Sequence, residues 1–292
     1  MNKKLAIFDG NHLAYRAYYK FSNLKTLDGE NTAIIYGMPY VAESLIRRLA
    51  PDKVVMVFDG GRSRYRKKLL PTYKERDQKL GFDKESFFKQ KDIGRDILIS
   101  LGVRVAYKRY WEADDIIAMI ARRFWGDDWE IVIVSGDKDF NQLIKYNLSV
   151  YNVGKGILLH EFNLKEKVGY TPQQCVDYLC LTGDKSDNIS GYPGIGEVRA
   201  TKFLEQFGSI NDFLNSNEKF SVIDKDKLKE IYQRNIELID LKYYYRKHMI
   251  HEEIPWINPD SRIDMDQVRK LCNKYEINTF LKPQFINTFK NL

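Results

Sequence analysis

Three short apolar runs stand out along the chain: Lys4 to Phe8 (KLAIF), Lys53 to Phe58 (KVVMVF) and Glu130 to Val134 (EIVIV). Unbroken runs of this length, rich in β-branched residues, mark strands buried on both faces. Helical periodicity fills the intervals, so the pattern predicts an α/β fold with a central, mostly parallel sheet flanked by helices. Leu148 to Asn152 (LSVYN) is a weaker fourth strand. Phe87, Phe88, Ile93, Ile97 and Leu98 give Lys84 to Ser100 the apolar stripe of an amphipathic helix. Beyond about residue 160 the pattern turns helical and loop-rich. Thr171-Pro172 opens a capped helix, with proline at its first position. A glycine-rich segment, Gly183 to Gly196, leads into a helix from near Glu197. Further helices are expected from about Asp224 to Leu241 and from Asp264 to Tyr275. The expected division is an α/β unit over 1–160 and a helical region over 161–292.

Each strong strand ends in acid. Asp9-Gly10 follows the first, Asp59-Gly60 the second, and Ser135-Gly136-Asp137-Lys138-Asp139 the third. Ligand sites in open α/β sheets lie outside the carboxyl ends of the strands, so Asp9, Asp59, Asp137 and Asp139 are expected along one sheet edge. One Asp-Gly pair is an ordinary turn; three strand ends carrying aspartate need another explanation. Glu112-Ala113-Asp114-Asp115 opens a helix with more acid than a cap requires. Gly183-Asp184-Lys185-Ser186-Asp187-Asn188 adds two aspartates three apart. Carboxylates crowded together repel one another unless cations intervene, and all-oxygen donors favour Mg²⁺ or Mn²⁺ over zinc. Magnesium keeps several waters and uses few carboxylates, so nine acids suggest two ions suited to phosphodiester displacement.

Composition adds a direction. Lys and Arg outnumber Asp and Glu by 47 to 40, for a formal charge of +7, which suits a polyanion but identifies none. The basic residues concentrate in 60–79, where Arg62, Arg64, Arg66, Lys67, Lys68, Lys74, Arg76 and Lys79 alternate with Tyr65 and Tyr73. The two opening glycines and Pro71 argue against one long helix there. Three cysteines form no disulfide framework or zinc motif, and the four histidines show no ligand spacing. No run approaches the ~20 apolar residues of a membrane span, so a cytoplasmic location is expected.

Taken in order, these motifs resemble the 5′-nuclease, or flap endonuclease, family, which includes the N-terminal nuclease domain of bacterial DNA polymerase I and bacteriophage 5′-3′ exonucleases. The resemblance runs from Asp9 to about Gly208. It is carried by Asp9-Gly10-Asn11, Phe58-Asp59-Gly60, Leu70-Pro71-Thr72-Tyr73-Lys74, Glu112-Ala113-Asp114-Asp115, Gly136-Asp137-Lys138-Asp139, Gly183 to Asn188, and Pro193-Gly194-Ile195-Gly196. It implies a PIN-like or resolvase-like core, a basic helical arch over about 60–105, and a helix-three-turn-helix over about 175–210. One metal site is implied around Asp9, Asp59, Glu112, Asp114 and Asp137. A second is implied at Asp139, Asp184 and Asp187, with Asp115 further out. Catalysis would fall to Asp9, Asp137, Asp139 and Lys74, the last matching the family's lysine near the scissile phosphate. DNA contacts would fall to Arg16, Arg66, Tyr73, Lys74 and Arg76 and, in the hairpin and following helix, to Gly194, Gly196, Arg199 and Lys202. Two Mg²⁺ or Mn²⁺ ions are implied, with a K⁺ at the hairpin.

The implied activity is a structure-specific 5′ nuclease, 5′-3′ exonuclease and flap endonuclease, acting on DNA with a 5′ flap, nick or duplex end and on RNA–DNA hybrids. A monomer working with replication or repair proteins in a bacterial or phage-infected cell is expected. Two other readings stay open on the residues: a PIN-like ribonuclease, and a DNA-binding accessory factor with an inactive site.

Overall fold

The computed structural model describes residues 3–75, 81–126, 128–258, 260–290 and 292. Strands β1 (Lys3–Asp9), β2 (Lys53–Val57), β3 (Arg104–Ala106), β4 (Trp129–Val134), β5 (Leu148–Asn152) and β6 (Ile157–Leu159) form one sheet in the order β3-β2-β1-β4-β5-β6. All neighbours run parallel except β5 and β6. The mostly parallel sheet is therefore as expected from the apolar runs. The three-residue β3 and β6 are additions, too short to show any periodicity.

Alternate residues of each central strand serve different cores. Leu5, Ile7, Val55, Val57, Ile131 and Ile133 face one apolar cluster, whereas Ala6, Phe8, Val54, Met56, Val132 and Val134 face the other. Helices cover both faces, which is why the strands carry no polar alternation. Helices α1 (Gly10–Lys20), α2 (Ala33–Leu49), α3 (Arg64–Leu69), α4 (Lys84–Ser100) and α5 (Ala113–Arg123) lie within the strand-bearing part. The chain continues through α6 (Leu164–Val168), α7 (Cys175–Thr182), the hairpin strands β7 (Gly183–Asp184) and β8 (Ile189–Ser190), and α8 (Glu197–Phe207). The remaining helices are α9 (Ile210–Asn215), α10 (Lys225–Ile239), α11 (Leu241–Tyr244), α12 (Met265–Lys274) and α13 (Pro283–Asn287). No helix among the described residues is long and apolar enough to cross a membrane.

The topology places the chemistry. From β1 the chain steps outward to β2 and β3, then returns to β4 on the other side of β1. The sheet thus reverses direction between β1 and β4, the position where open α/β sheets leave a crevice beyond their strand ends. Asp9 closes β1 and Asp137 follows β4, so both flank that crevice.

Candidate metal and nuclease centre

Asp9 is the N-cap of α1: its Oδ1 accepts from the His12 amide at 2.9 Å and its Oδ2 from Ser135 Oγ at 2.9 Å. Burial, then the charges of Asp114 and Asp59, push its carboxyl up to about 8. Asp59 accepts from the Ala113 amide at 2.7 Å and is pushed up to about 6 by burial and Asp114. Gly60, next to it, is forced by close approach: a Cβ there would stand 1.7 Å from the Lys108 carbonyl oxygen. That contact seats the end of β2 against the loop carrying Glu112, with Gly60 N–H donating to the Trp111 carbonyl at 2.8 Å.

Asp137 caps the short 3₁₀ turn Lys138–Leu143, accepting from the Asp139 amide at 2.9 Å. Burial and Asp114 raise it to about 6. Asp139 is pushed well above the usual range by burial, Asp137 and Asp184, and its Oδ1 is a buried oxygen with no hydrogen-bond partner. Asp184 lies on the β7–β8 hairpin, where burial is outweighed by Ser186 and by Lys138 Nζ at 3.3 Å, so its carboxyl is lowered. Gly183 turns into that hairpin at φ +72, a conformation that favours glycine. Asp187 is raised by burial despite Lys74.

Lys74 joins these groups. Its Nζ stands 3.0 Å from Glu112 Oε2, 3.5 Å from Asp114 Oδ2 and 3.6 Å from Asp187 Oδ2. Burial opposes its charge, but Glu112 and Asp114 hold the ammonium well above its ordinary pKa. Its backbone adopts φ +53 and donates to the Asp187 carbonyl at 3.0 Å, while Asn188 Nδ2 donates to the Thr72 carbonyl at 2.9 Å. The 183–190 hairpin is thereby pinned to the loop that delivers Lys74.

Three expected roles are corrected. Arg66 is no surface phosphate grip: it is 1% exposed, donates to Asp115 at 2.8 and 2.7 Å and to the Leu238 carbonyl at 3.0 Å, and stacks on Tyr244. Asp115 gives both oxygens to Arg66, which removes it from metal ligation. Tyr73 is buried and donates to Glu112 Oε2 at 2.8 Å, so its ring presents no face to a strand. Glu112 itself is fully engaged. Burial pushes its carboxyl up, but Lys74 and Arg66 outweigh that and hold it down at about 2.

The other expected contacts lie further out. Arg16 is half-buried on α1 and close enough to His12 to depress the imidazole, after burial. Arg76 lies outside the described residues. Arg199 and Lys202 are both exposed on α8, whose N-cap, Gly196, brings no side-chain acceptor to the helix's first amides. The Gly194 carbonyl accepts from Arg199 Nη1 at 2.6 Å.

Sequence reasoning missed Ser135, Lys138 and Lys91. Lys91 is buried on α4, its Nζ 3.3 Å from Asn11 Oδ1, with burial lowering its pKa. The signal was present: position 91 falls in the same buried stripe as Phe87, Gly94 and Leu98.

Do the carboxylates suit a hard cation? The donors are all oxygens, five are raised by burial and mutual repulsion, and Asp139 Oδ1 is orphaned. That chemistry fits a divalent ion. Among the described residues, no three His, Cys, Asp or Glu side chains converge as an ion-binding group; the Lys74 ammonium stands among the acids instead.

Comparison with known proteins agrees with this architecture. The family description "5'-3' exonuclease, N-terminal resolvase-like domain" matches residues 4–174, and "5'-3' exonuclease, C-terminal SAM fold" matches residues 170–256. A 5'-3' exonuclease of Aquifex aeolicus is 30% identical over 283 residues, covering 96% of this chain and 94% of that one. DNA polymerase I of Bacillus subtilis is 32% identical over 294 residues, or 99% of this chain, but the chain spans only 31% of that polymerase's length. A bacteriophage T5 flap endonuclease, solved in complex with DNA and metal ions, shares the fold at a TM-score of 0.72 and 21% identity, over 94% of this chain and 100% of that one. By the match over more than half its length, the chain belongs to the 5′-3′ exonuclease family.

Proposed function

We propose that the chain is a metal-dependent, structure-specific 5′ nuclease that hydrolyses DNA phosphodiesters at flaps, nicks and duplex ends and removes RNA primers. The observation that carries this is the gathering of mutually repelling carboxylates beyond β1, β2 and β4, with one lysine among them. The 1–160 unit would hold the chemistry and the 161–292 region would grip the duplex.

Asp9, Asp59, Asp114 and Asp137 would hold one Mg²⁺ or Mn²⁺, and Asp139, Asp184 and Asp187 a second. Bound divalent ions would supply a water deprotonated at neutral pH and neutralise charge on the phosphate. Ser135 fixes the rotamer of Asp9, and the Ser186 amide and hydroxyl, both 2.7 Å from Oδ1, that of Asp184. Lys74 is held protonated, and a fixed ammonium can stabilise charge developing on a phosphate oxygen. Glu112 serves as its anchor, together with Tyr73. Arg199 and Lys202, beside the open amides of α8, would meet the duplex backbone.

The test is cleavage of an end-labelled 5′-flap duplex with and without Mg²⁺, beside single-stranded RNA of the same sequence. Metal-dependent cleavage near the flap junction is expected. Preference for unpaired RNA would favour a PIN-like ribonuclease, and binding without cleavage would favour an accessory factor.

Protons and metal should compete. Asp9 at about 8, and Asp59 and Asp137 at about 6, bind more protons folded than unfolded between about pH 4 and 8. Stability conferred by a raised carboxyl is complete below its unfolded pKa and is lost as pH rises through the folded one. Glu112, held at about 2, contributes in the opposite sense, and only in more acidic solution. Melting in EDTA should therefore fall as pH rises from about 5 to 8, and Mg²⁺ should restore it most at the upper end. A midpoint that rises with pH and ignores Mg²⁺ contradicts the site.

A further inference from the structure

Lys91 approaches the carboxylate edge from α4, through contacts that share no residue with those of Lys74. Its Nζ lies 5.9 Å from the ring of Phe58, the residue before Asp59, and donates at 3.3 Å to Oδ1 of Asn11, two residues after Asp9. Phe58 is packed so closely on the start of α1 that a Cβ on Gly10 would stand 2.5 Å from its ring. The ammonium therefore sits where the ends of β1 and β2 meet α1. On its other side the Phe88 ring lies 4.9 Å away and is 42% exposed, whereas Phe58 is 1% exposed. Lys91 is thus held between a core ring and a surface ring, and a rotamer change of Phe88 opens it to the edge.

The donors here lack an acceptor. A lysine can only donate, so it fixes the Asn11 amide with its oxygen toward Nζ. That leaves Asn11 Nδ2 beside the ammonium, buried and without a hydrogen-bond partner. The charged groups acting on Lys91 are Asp92, Asp59 and Arg95. Asp92 is taken by Arg95 at 2.9 Å, and Asp59 belongs to the cation site proposed above. Among the described residues, no carboxylate pairs directly with Nζ. A buried charge without a partner is costly, and a divalent ion on Asp59 would cancel the attraction from that side. An anion with several oxygens satisfies both donors, and the edge is where the proposed function brings a phosphodiester strand. We propose that Lys91 and Asn11 form a second phosphate contact, on the α1–α4 flank of the carboxylates, which grips a phosphate neighbouring the one that is cut.

This contact rests on the nuclease reading above, and the experiment separates the two. Binding of a labelled 5′-flap duplex is measured in EDTA, with one neutral methylphosphonate placed at successive positions of the flap strand on either side of the junction. Lys91→Met keeps the stem and removes the charge; Lys91→Gln also keeps a donor for Asn11. Both should weaken binding of the unmodified duplex about tenfold, the scale of one hydrogen bond to a charged group. At one position the methylphosphonate should weaken the parent by a similar factor and leave both variants unaffected. Both should melt at or above the parent temperature in EDTA, because burial opposes the charge they lack. Methylphosphonates that weaken parent and variants alike at every position would overturn the proposal. So would parent-like binding by Lys91→Gln alone, or a marked fall in melting temperature for both variants, either of which makes Lys91 a support for the fold. A parent that cleaves the flap in Mg²⁺ but shows no coupled position loses only this contact. One that shows the coupled position without cleaving keeps the contact and loses the nuclease.

Discussion

Asp137→Asn should cut the rate of flap cleavage by about 10²- to 10³-fold, the scale of removing one preorganised electrostatic group, while leaving the metal-free protein at least as stable as the parent. The two halves of that result have separate causes. Asp137 caps the turn Lys138–Leu143 through Oδ1, and an asparagine carbonyl accepts the same Asp139 amide. The local fold is therefore kept. The carboxylate charge, however, is opposed by burial and by Asp114, which is why the group sits at about 6. A neutral amide relieves that opposition above pH 6. What is lost is a negative oxygen for a divalent ion. Stability and activity should move in opposite directions, the pattern of a site strained for function. Single-turnover cleavage, thermal melts in EDTA and binding to an uncleaved flap measure the three quantities. Unchanged cleavage would remove Asp137 from the centre, and a large fall in stability would make it a structural residue.

Much of this centre was legible because strand ends are legible. Asp9, Asp59 and Asp137 follow apolar runs long enough to name the strands, and parallel strands put their carboxyl ends on one edge. The order of those strands was not legible. The reversal lies in β2 pairing on one side of β1 and β4 on the other, and an apolar run does not say which side its strand takes. Side-chain direction within 60–79 was hidden as well. Arg64, Arg66 and Lys67 look alike in a charged segment, yet α3 turns Arg66 inward and leaves Arg64 at the surface. Composition marks that segment as a solvated basic surface, and nothing local announces that one guanidinium meets Asp115 from a distant helix. Lys91 is the reverse case, a charge whose place in the apolar stripe of α4 is visible in the sequence. Family resemblance supplied 5′ polarity and flap-like substrates, which no residue spacing contains.

Arg66→Ala should destabilise the protein by about 3–5 kcal/mol, the cost of leaving a buried charge without its partner. The guanidinium is enclosed on every side. Asp115 takes two of its hydrogen bonds, at 2.8 and 2.7 Å, Leu238 a third, Glu112 receives a contact at 3.3 Å, and Tyr244 lies 4.1 Å from its carbon. Burial works against its charge, but Asp115 holds it well above the ordinary arginine range. Truncation strands Asp115, 2% exposed, and unties α3 from α5, from the end of α10 and from α11. Asp115→Ala should cost about as much, because the same charge pair is broken from the other side. The double variant should cost less than the two losses added, since neither charge then remains unpaired. Urea unfolding of the three proteins gives the coupling directly. Glu112 keeps Lys74 and Tyr73 in all of them, so any cleavage lost in the folded fraction reports how far Arg66 orients that carboxylate. A variant with parent-like unfolding and weakened DNA binding would instead put Arg66 back on the surface as a phosphate contact.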